Sequence, residues 1–154
     1  MLSFLIIGIY WANHHSFLEL FRRTDHTFLM LNVIFLMAIA FLPFPTAVLG
    51  EYLKEGAQRA DAVTFYSLGL LLPATTWCLL WLYGRWRGLL VEGLEPSYVR
   101  LATIQFLVSV ALYGAAVAVS FVEPWAALAV CVDLTLLYLL PPRRPVFTAG
   151  AGKP

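Results

Sequence analysis

Three stretches of this chain, 27–49, 62–83 and 101–122, contain no charged residue, and nothing else constrains its fold as strongly. A helix needs about 17–25 apolar residues to cross a bilayer, so each stretch is long enough. In hydrocarbon every backbone N–H and C=O must find a partner within the protein, which leaves helices or a closed barrel. Barrel strands alternate apolar and polar residues. These runs are continuously apolar, and the pattern is helical. Composition agrees, with 61% of residues hydrophobic, 12% charged and a mean hydropathy of +0.80. A soluble domain carries about one quarter charged residues.

Two further runs extend the pattern. Residues 2–18 are apolar except for a polar turn at 10–15, and 124–140 is short and holds Asp133. Together they predict an all-α integral membrane protein with five transmembrane helices, at about 2–18, 27–49, 62–83, 101–122 and 124–140, in one polytopic domain over 1–141. Glu123-Pro124 leaves almost no loop between the last two, which predicts a tight antiparallel hairpin. Pro43 and Pro45 are expected to close the second span. Trp77, Trp81, Tyr83 and Trp86 read as an interfacial aromatic belt. Ala111 with Ala115, and Gly114 with Ala118, offer small surfaces on which helices can approach closely. Residues 84–96 mix leucines with charges and are expected to lie along the membrane interface. The Pro/Gly-rich segment 142–154 reads as a disordered cytoplasmic tail.

The basic residues set the expected orientation. Arg22, Arg23, Arg85, Arg87, Arg100, Arg143, Arg144 and Lys153 fall on one side of a five-span arrangement, and Lys54 and Arg59 on the other. The positive-inside rule then puts the C-terminus in the cytoplasm and Met1 outside. The first span begins at residue 2 without a basic start or a small-residue cleavage site, so it does not read as a signal peptide. An outside start is awkward for such a helix. It leads to the expectation that a further helix precedes Met1, making five spans of an ancestral six.

The polar turn Tyr10-Trp11-Ala12-Asn13-His14-His15 is where chemistry is expected. An unpaired amide or imidazole in hydrocarbon costs on the order of several kcal/mol, so these groups must meet a partner helix or a hydrated path. Trp11 shares a helix face with His14 and His15 at three- and four-residue spacing, while Asn13 points partly elsewhere. Trp11, Asn13 and His14 could form a fixed donor set, with Asn32 of the second span as a facing member. Alternatively, His14 and His15 mark a membrane boundary, and Asn32 makes a plain helix–helix contact. Adjacent histidines diverge by about 100° and cannot readily chelate one ion, so no metal site is expected. No Ser/His/Asp set, phosphate-binding glycine loop or carboxylate pair occurs, which argues against an enzyme or a cofactor. The net charge of +1 gives no sign of nucleic-acid binding. Cys78 and Cys131 lie in apolar runs and read as packing residues. Asp133 is the one carboxylate well inside a span. It could belong to an ion or proton relay, or be a structural residue facing a partner or a hydrated crevice.

The sequence Ser3-Phe4-Leu5-Ile6-Ile7-Gly8-Ile9-Tyr10-Trp11-Ala12-Asn13-His14-His15, then Leu31-Asn32, then Leu42-Pro43-Phe44-Pro45-Thr46, resembles the second and third helices of the transmembrane protein 175 family of lysosomal and prokaryotic potassium channels. The resemblance covers about the first third of the chain. It implies selective, passive potassium permeation, a homotetramer around one pore in prokaryotic members, and a bilayer of the prokaryotic plasma membrane. It further implies a pore lined by a first helix carrying a Phe-Ser-Asp signature, braced by the residues that correspond to Trp11, Asn13, His14 and, less directly, Asn32. Phe-Ser-Asp does not occur in these residues, and the expectation is a chain that holds the supporting helices and lacks the pore helix. Two rivals stand beside this reading: a small proton-coupled transporter using Asp133 and His14, and a non-conducting accessory membrane subunit.

Overall fold

The computed structural model describes residues 2–54, 56, 58–138 and 144–148. Among them six helical segments follow one another: α1 (Leu2–Leu18), α2 (His26–Phe41), α3 (Pro43–Tyr52), α4 (Arg59–Trp86), α5 (Pro96–Ser120) and α6 (Pro124–Leu137). No strand longer than an isolated bridge occurs among the described residues. Three helical paths are long and apolar enough to cross a membrane: His26–Tyr52, which joins α2 and α3, and then α4 and α5. The first and last helices are shorter, at 17 and 14 residues. At 1.5 Å per residue, α6 rises about 21 Å, against about 30 Å of hydrocarbon. Each expected span thus contains a helix, and among the described residues three paths have the length and hydropathy of a full crossing.

Pro43 and Pro45 do not close the second span as expected. Lacking an N–H, each leaves one carbonyl of the preceding turn without its helical donor. The chain adapts locally: the Leu42 N–H bonds the Ile39 carbonyl at 3.1 Å, and Thr46 bonds the Leu42 carbonyl through both its N–H (3.1 Å) and its hydroxyl (2.8 Å). Pro43 then occupies the start of α3, where no donor is required. The path stays helical as far as Tyr52.

The centre of the bundle is α4. In its most apolar window 56% of residues are buried, against 17% in α5, which presents most of its surface outward. Two close approaches hold neighbours on α4. A Cβ at Gly69 would lie 2.7 Å from Cγ of the buried Pro45, so the α2–α3 bend fits only against a glycine. A Cβ at Gly84 would overlap the ring of Phe21 in the turn after α1. The expected aromatic belt is corrected by the same burial. Trp77 and Trp81 are 4% and 0% exposed, because they point from the central helix into its neighbours, while Trp86 at the helix end is exposed. The Trp81 indole donates to the Thr103 hydroxyl at 2.8 Å. The small residues of α5 also fall differently. Ala111, Ala115 and Ala118 face outward, and the buried face of α5 is instead Ser109, Tyr113, Ala116 and Ser120, the last meeting Thr64 of α4. Cys78 and Cys131 are free and buried.

At one end the connections pair with each other. The Arg22 N–H bonds Leu89 O (3.0 Å), the Val91 N–H bonds Leu20 O (2.9 Å), and Arg22 forms an ion pair with Glu92. Residues 144–148 join them, with Glu95 N–H to Val146 O at 2.9 Å and Thr148 N–H to Gly93 O at 2.8 Å. The expectation of a disordered tail is therefore corrected for 144–148, whose backbone satisfies otherwise open groups of 93–95. The rest of 142–154 lies outside the described residues. Asp25 ties this end to α2 and α4. Its carboxylate caps α2 by accepting the Phe28 N–H at 2.9 Å, accepts the Tyr83 hydroxyl at 2.9 Å, and lies 3.5 Å from Arg87 Nε. These contacts, the Phe28 N–H first, hold its pKa below the ordinary carboxylate value.

Two outcomes follow for stability. Gly84→Ala should cost about 1–3 kcal/mol by overpacking, measured by thermal unfolding in detergent, and much less in a Phe21→Ala background, where the obstructing ring is gone. Because the folded state lowers the Asp25 pKa, it holds fewer protons than the unfolded chain. Its contribution is present above the ordinary carboxylate range and is lost as pH falls through the lowered value. Asp25→Asn retains a capping oxygen and should flatten the acid limb of the stability profile; an unchanged limb would exclude this assignment.

Candidate functional site

The polar turn of α1 can be followed residue by residue, because successive side chains on a helix diverge by about 100°. Tyr10 and His14 point inward, at 3% and 7% exposure, whereas Trp11 is 68% exposed. His14 Nε2 lies 2.6 Å from Asn32 Oδ1 on α2. An amide oxygen can only accept, so the imidazole presents its Nε2–H to it. The His14 ring also packs against Phe35, with centroids 5.2 Å apart. Facing polar groups on two apolar helices thus satisfy each other, and the pair fixes the rotation of α1 against α2.

Asn13 reaches another element. Its Nδ2–H donates to the Tyr138 carbonyl at 2.8 Å. That carbonyl lies at the C-terminal end of α6, where helix carbonyls lack an intrahelical donor. The Tyr138 hydroxyl is in turn 2.8 Å from the Ser109 hydroxyl on α5. Through Asn13 and His14 the turn therefore joins α1 to α2 on one side and to the α5–α6 hairpin on the other.

Trp11 does not join this set. Its ring stacks on His15, with centroids 6.1 Å apart and an interplanar angle of 14°. His15 Nε2 lies 3.7 Å from a Glu19 carboxylate oxygen. Gly8, Trp11, Ala12, His15 and Glu19 form an exposed stripe that continues along the outer face of α1. Four-residue steps keep Trp11 over His15, whereas the three-residue step to His14 turns toward the bundle. Asp133 lies on the exposed side of α6, while His14 faces Asn32 and Phe35, so the structure does not bring Asp133 and His14 together. Among the described residues no group of three or more His, Cys, Asp and Glu side chains is placed to hold a metal ion.

Tyr138 was not singled out by the sequence, and its contribution explains why. Its backbone carbonyl receives Asn13, and side-chain patterns give no information about which carbonyl at a helix end stays open. The Asp25–Tyr83–Arg87 set had a signal that could have been read, since an Asp three residues before an apolar run marks a helix cap.

Leaving a buried polar group unpaired costs about 1–3 kcal/mol. His14→Ala, which strands Asn32 Oδ1, should lower unfolding stability by that order, while His15→Ala on the exposed stripe should change it little. Equal losses for the two variants, compared by thermal unfolding in the same detergent, would contradict the inward role of His14.

Known proteins resemble this chain in both sequence and fold. A family model described as "Endosomal/lysosomal potassium channel TMEM175" matches residues 1–43, the segment holding Asn13, His14 and Asn32. A protein named as a potassium channel from Chamaesiphon minutus is 34% identical over 139 residues, covering 90% of this chain and 68% of its own length. A potassium channel from Streptomyces collinus gives the same identity and coverage. The crystal structure of a lysosomal potassium-selective channel TMEM175 homolog from Chamaesiphon minutus is similar with a TM-score of 0.75 at 32% identity, covering 90% of this chain and 71% of that one. With a relative this similar along most of both chains, and a matching fold, the chain belongs to the TMEM175 family.

Proposed function

We propose that this chain is a subunit of a potassium channel that lets the ion pass down its gradient, with no catalytic step and no cofactor. The observation that carries the proposal is the 34% identity, over 90% of this chain, to a protein named as a potassium channel. The placement of the polar turn supports it. His14 is buried against the half-buried Asn32 between α1 and α2, Asn13 bridges to the end of α6, and together they make a polar girdle in an otherwise apolar layer. In this reading the girdle braces the pore-lining side chains, with Trp11 contributing from the outer face of α1 where a neighbouring helix can reach it. The finer architecture belongs to the same proposal: five spans in this chain, a homotetramer around one pore, the prokaryotic plasma membrane, and a C-terminus in the cytoplasm. The basic residues at the end formed by 19–25, 84–95 and 144–148 support that orientation.

The test is electrical. In planar bilayers the protein, assembled with an upstream helix bearing Phe-Ser-Asp, should carry a current that reverses at the potassium equilibrium potential and ignores a proton gradient. Asn13→Ala or His14→Ala should reduce that current far more than His15→Ala, and Asp133→Asn should leave it unchanged. A flux that follows the proton gradient and disappears in Asp133→Asn would overturn the channel reading in favour of a coupled transporter. A cysteine at Gln58 should react with an impermeant thiol reagent on intact cells, while one at Gly150 should not; the reverse pattern would overturn the orientation.

A further inference from the structure

A cavity of about 530 Å³ lies inside the end of the bundle where the basic loops pair. It is walled by the last turns of α1 (Asn13, Phe17), by Trp77 of α4 and by the first turns of α5 (Leu101, Ala102, Phe106), with Leu94 and Phe147 across the loop end. Its volume falls in the range of about 300–1,000 Å³ typical of sites for small amphiphilic molecules. Three observations define what it would hold. The walls are mostly apolar, which fits a hydrocarbon chain. The Trp77 ring lines the cavity, and its buried indole Nε1 has no acceptor among the described residues. Arg144 stands at the rim, exposed and without a carboxylate partner among the described residues, while Arg22 and Arg87 are already paired with Glu92 and Asp25. The other charge lining the cavity, Glu19, lies beside His15.

We propose that this cavity is a site for a membrane glycerophospholipid with an acidic headgroup, one acyl chain lying among Phe17, Leu101, Ala102 and Phe106 and the phosphate at Arg144. The source is the bilayer rather than the aqueous phase. The exposed rim residues Leu101 and Leu137, at 42% and 60%, form an apolar mouth that suits hydrocarbon, and the charged rim residues Glu19 and Arg144 are exposed as well. Arg23 and Arg100, at the same end, are also without carboxylate partners among the described residues. Basic residues beside a membrane surface favour anionic lipids by about 1 kcal/mol each. Because the lipid would pack against the Asn13–Tyr138 bridge, its occupancy would stiffen the contact that ties α1 to α6.

The experiment is native mass spectrometry of the full chain released from detergent after equilibration with phosphatidylglycerol, with phosphatidylcholine of the same acyl chains, or with glycerol phosphate as a headgroup lacking chains. The wild type should retain phosphatidylglycerol in preference to phosphatidylcholine and should not retain glycerol phosphate. Ala102→Phe, which fills the cavity from its α5 wall, should lower retention about tenfold. Arg144→Gln, an exposed change that leaves the helices untouched, should remove a preference of about fivefold for phosphatidylglycerol without altering phosphatidylcholine. That second variant decides the matter even if Ala102→Phe does not fold. Equal retention of both lipids by wild type and Arg144→Gln would overturn the proposal. So would retention of no lipid at all, as expected of a cavity filled by water or by another part of this chain.

Discussion

Trp77 is the side chain on which the bundle converges. Its ring centroid lies within 6.1 Å of those of Tyr10 and Phe17 from α1, Phe35 from α2, Phe106 from α5 and Tyr138 beyond α6. Between apolar helices in a membrane there is little hydrophobic driving force, since lipid tails are as apolar as the side chains they would replace. Helices then associate through close packing and the few polar pairs that lipid cannot satisfy. A large flat ring at the centre, with edge, tilted and stacked partners, supplies the packing. The turns around it supply the polar pairs.

Those pairs act as registers on the packing. His14–Asn32 sets the rotation of α1 against α2, and Asn13–Tyr138 sets its contact with the end of α6. Rotating α1 by one residue would move its polar turn by about 100°. His14 would then leave Asn32, and Tyr10 would leave the Trp77 cluster. Packing and polar satisfaction thus select the same arrangement, which is the consistency expected of a sequence with one preferred structure. Close approaches at Gly69 and Gly84 serve the same end, because each lets a rigid ring, Pro45 or Phe21, lie directly on the central helix.

For a membrane channel family this division suits function. The α1–α2 and α1–α6 contacts fix one face of α1 inside the bundle, and the stripe of Trp11, His15 and Glu19 remains outward. The basic end is held by backbone pairs, by the Arg22–Glu92 and Arg87–Asp25 ion pairs, and by the strap 144–148. It gives the bundle a polar base from which the apolar layer is built.

The helical, membrane-embedded class of this protein was legible in its sequence, because the burial of backbone groups in hydrocarbon admits few alternatives and leaves uninterrupted apolar runs. That polar groups of the turn 10–15 and Asn32 must find partners was legible for the same reason, since a polar group within such a run must be satisfied. Which partner each one takes was decided only by the tertiary structure. Trp11, Asn13 and His14 look like one donor set in sequence, yet they project in three directions, because each step along a helix turns about 100° and the distant elements that receive them are not sequence neighbours. The fate of Trp77 and Trp81 was hidden for a related reason. An aromatic residue near a span end fits an interfacial belt or a buried cluster equally well, and only the position of α4 at the centre of the bundle buries them. Pro43 and Pro45 read as a stop because proline removes donors. The helix continues because Leu42, Thr46 and the glycine at position 69 together accommodate the bend, and that accommodation depends on a second helix 24 residues further along the chain from Pro45.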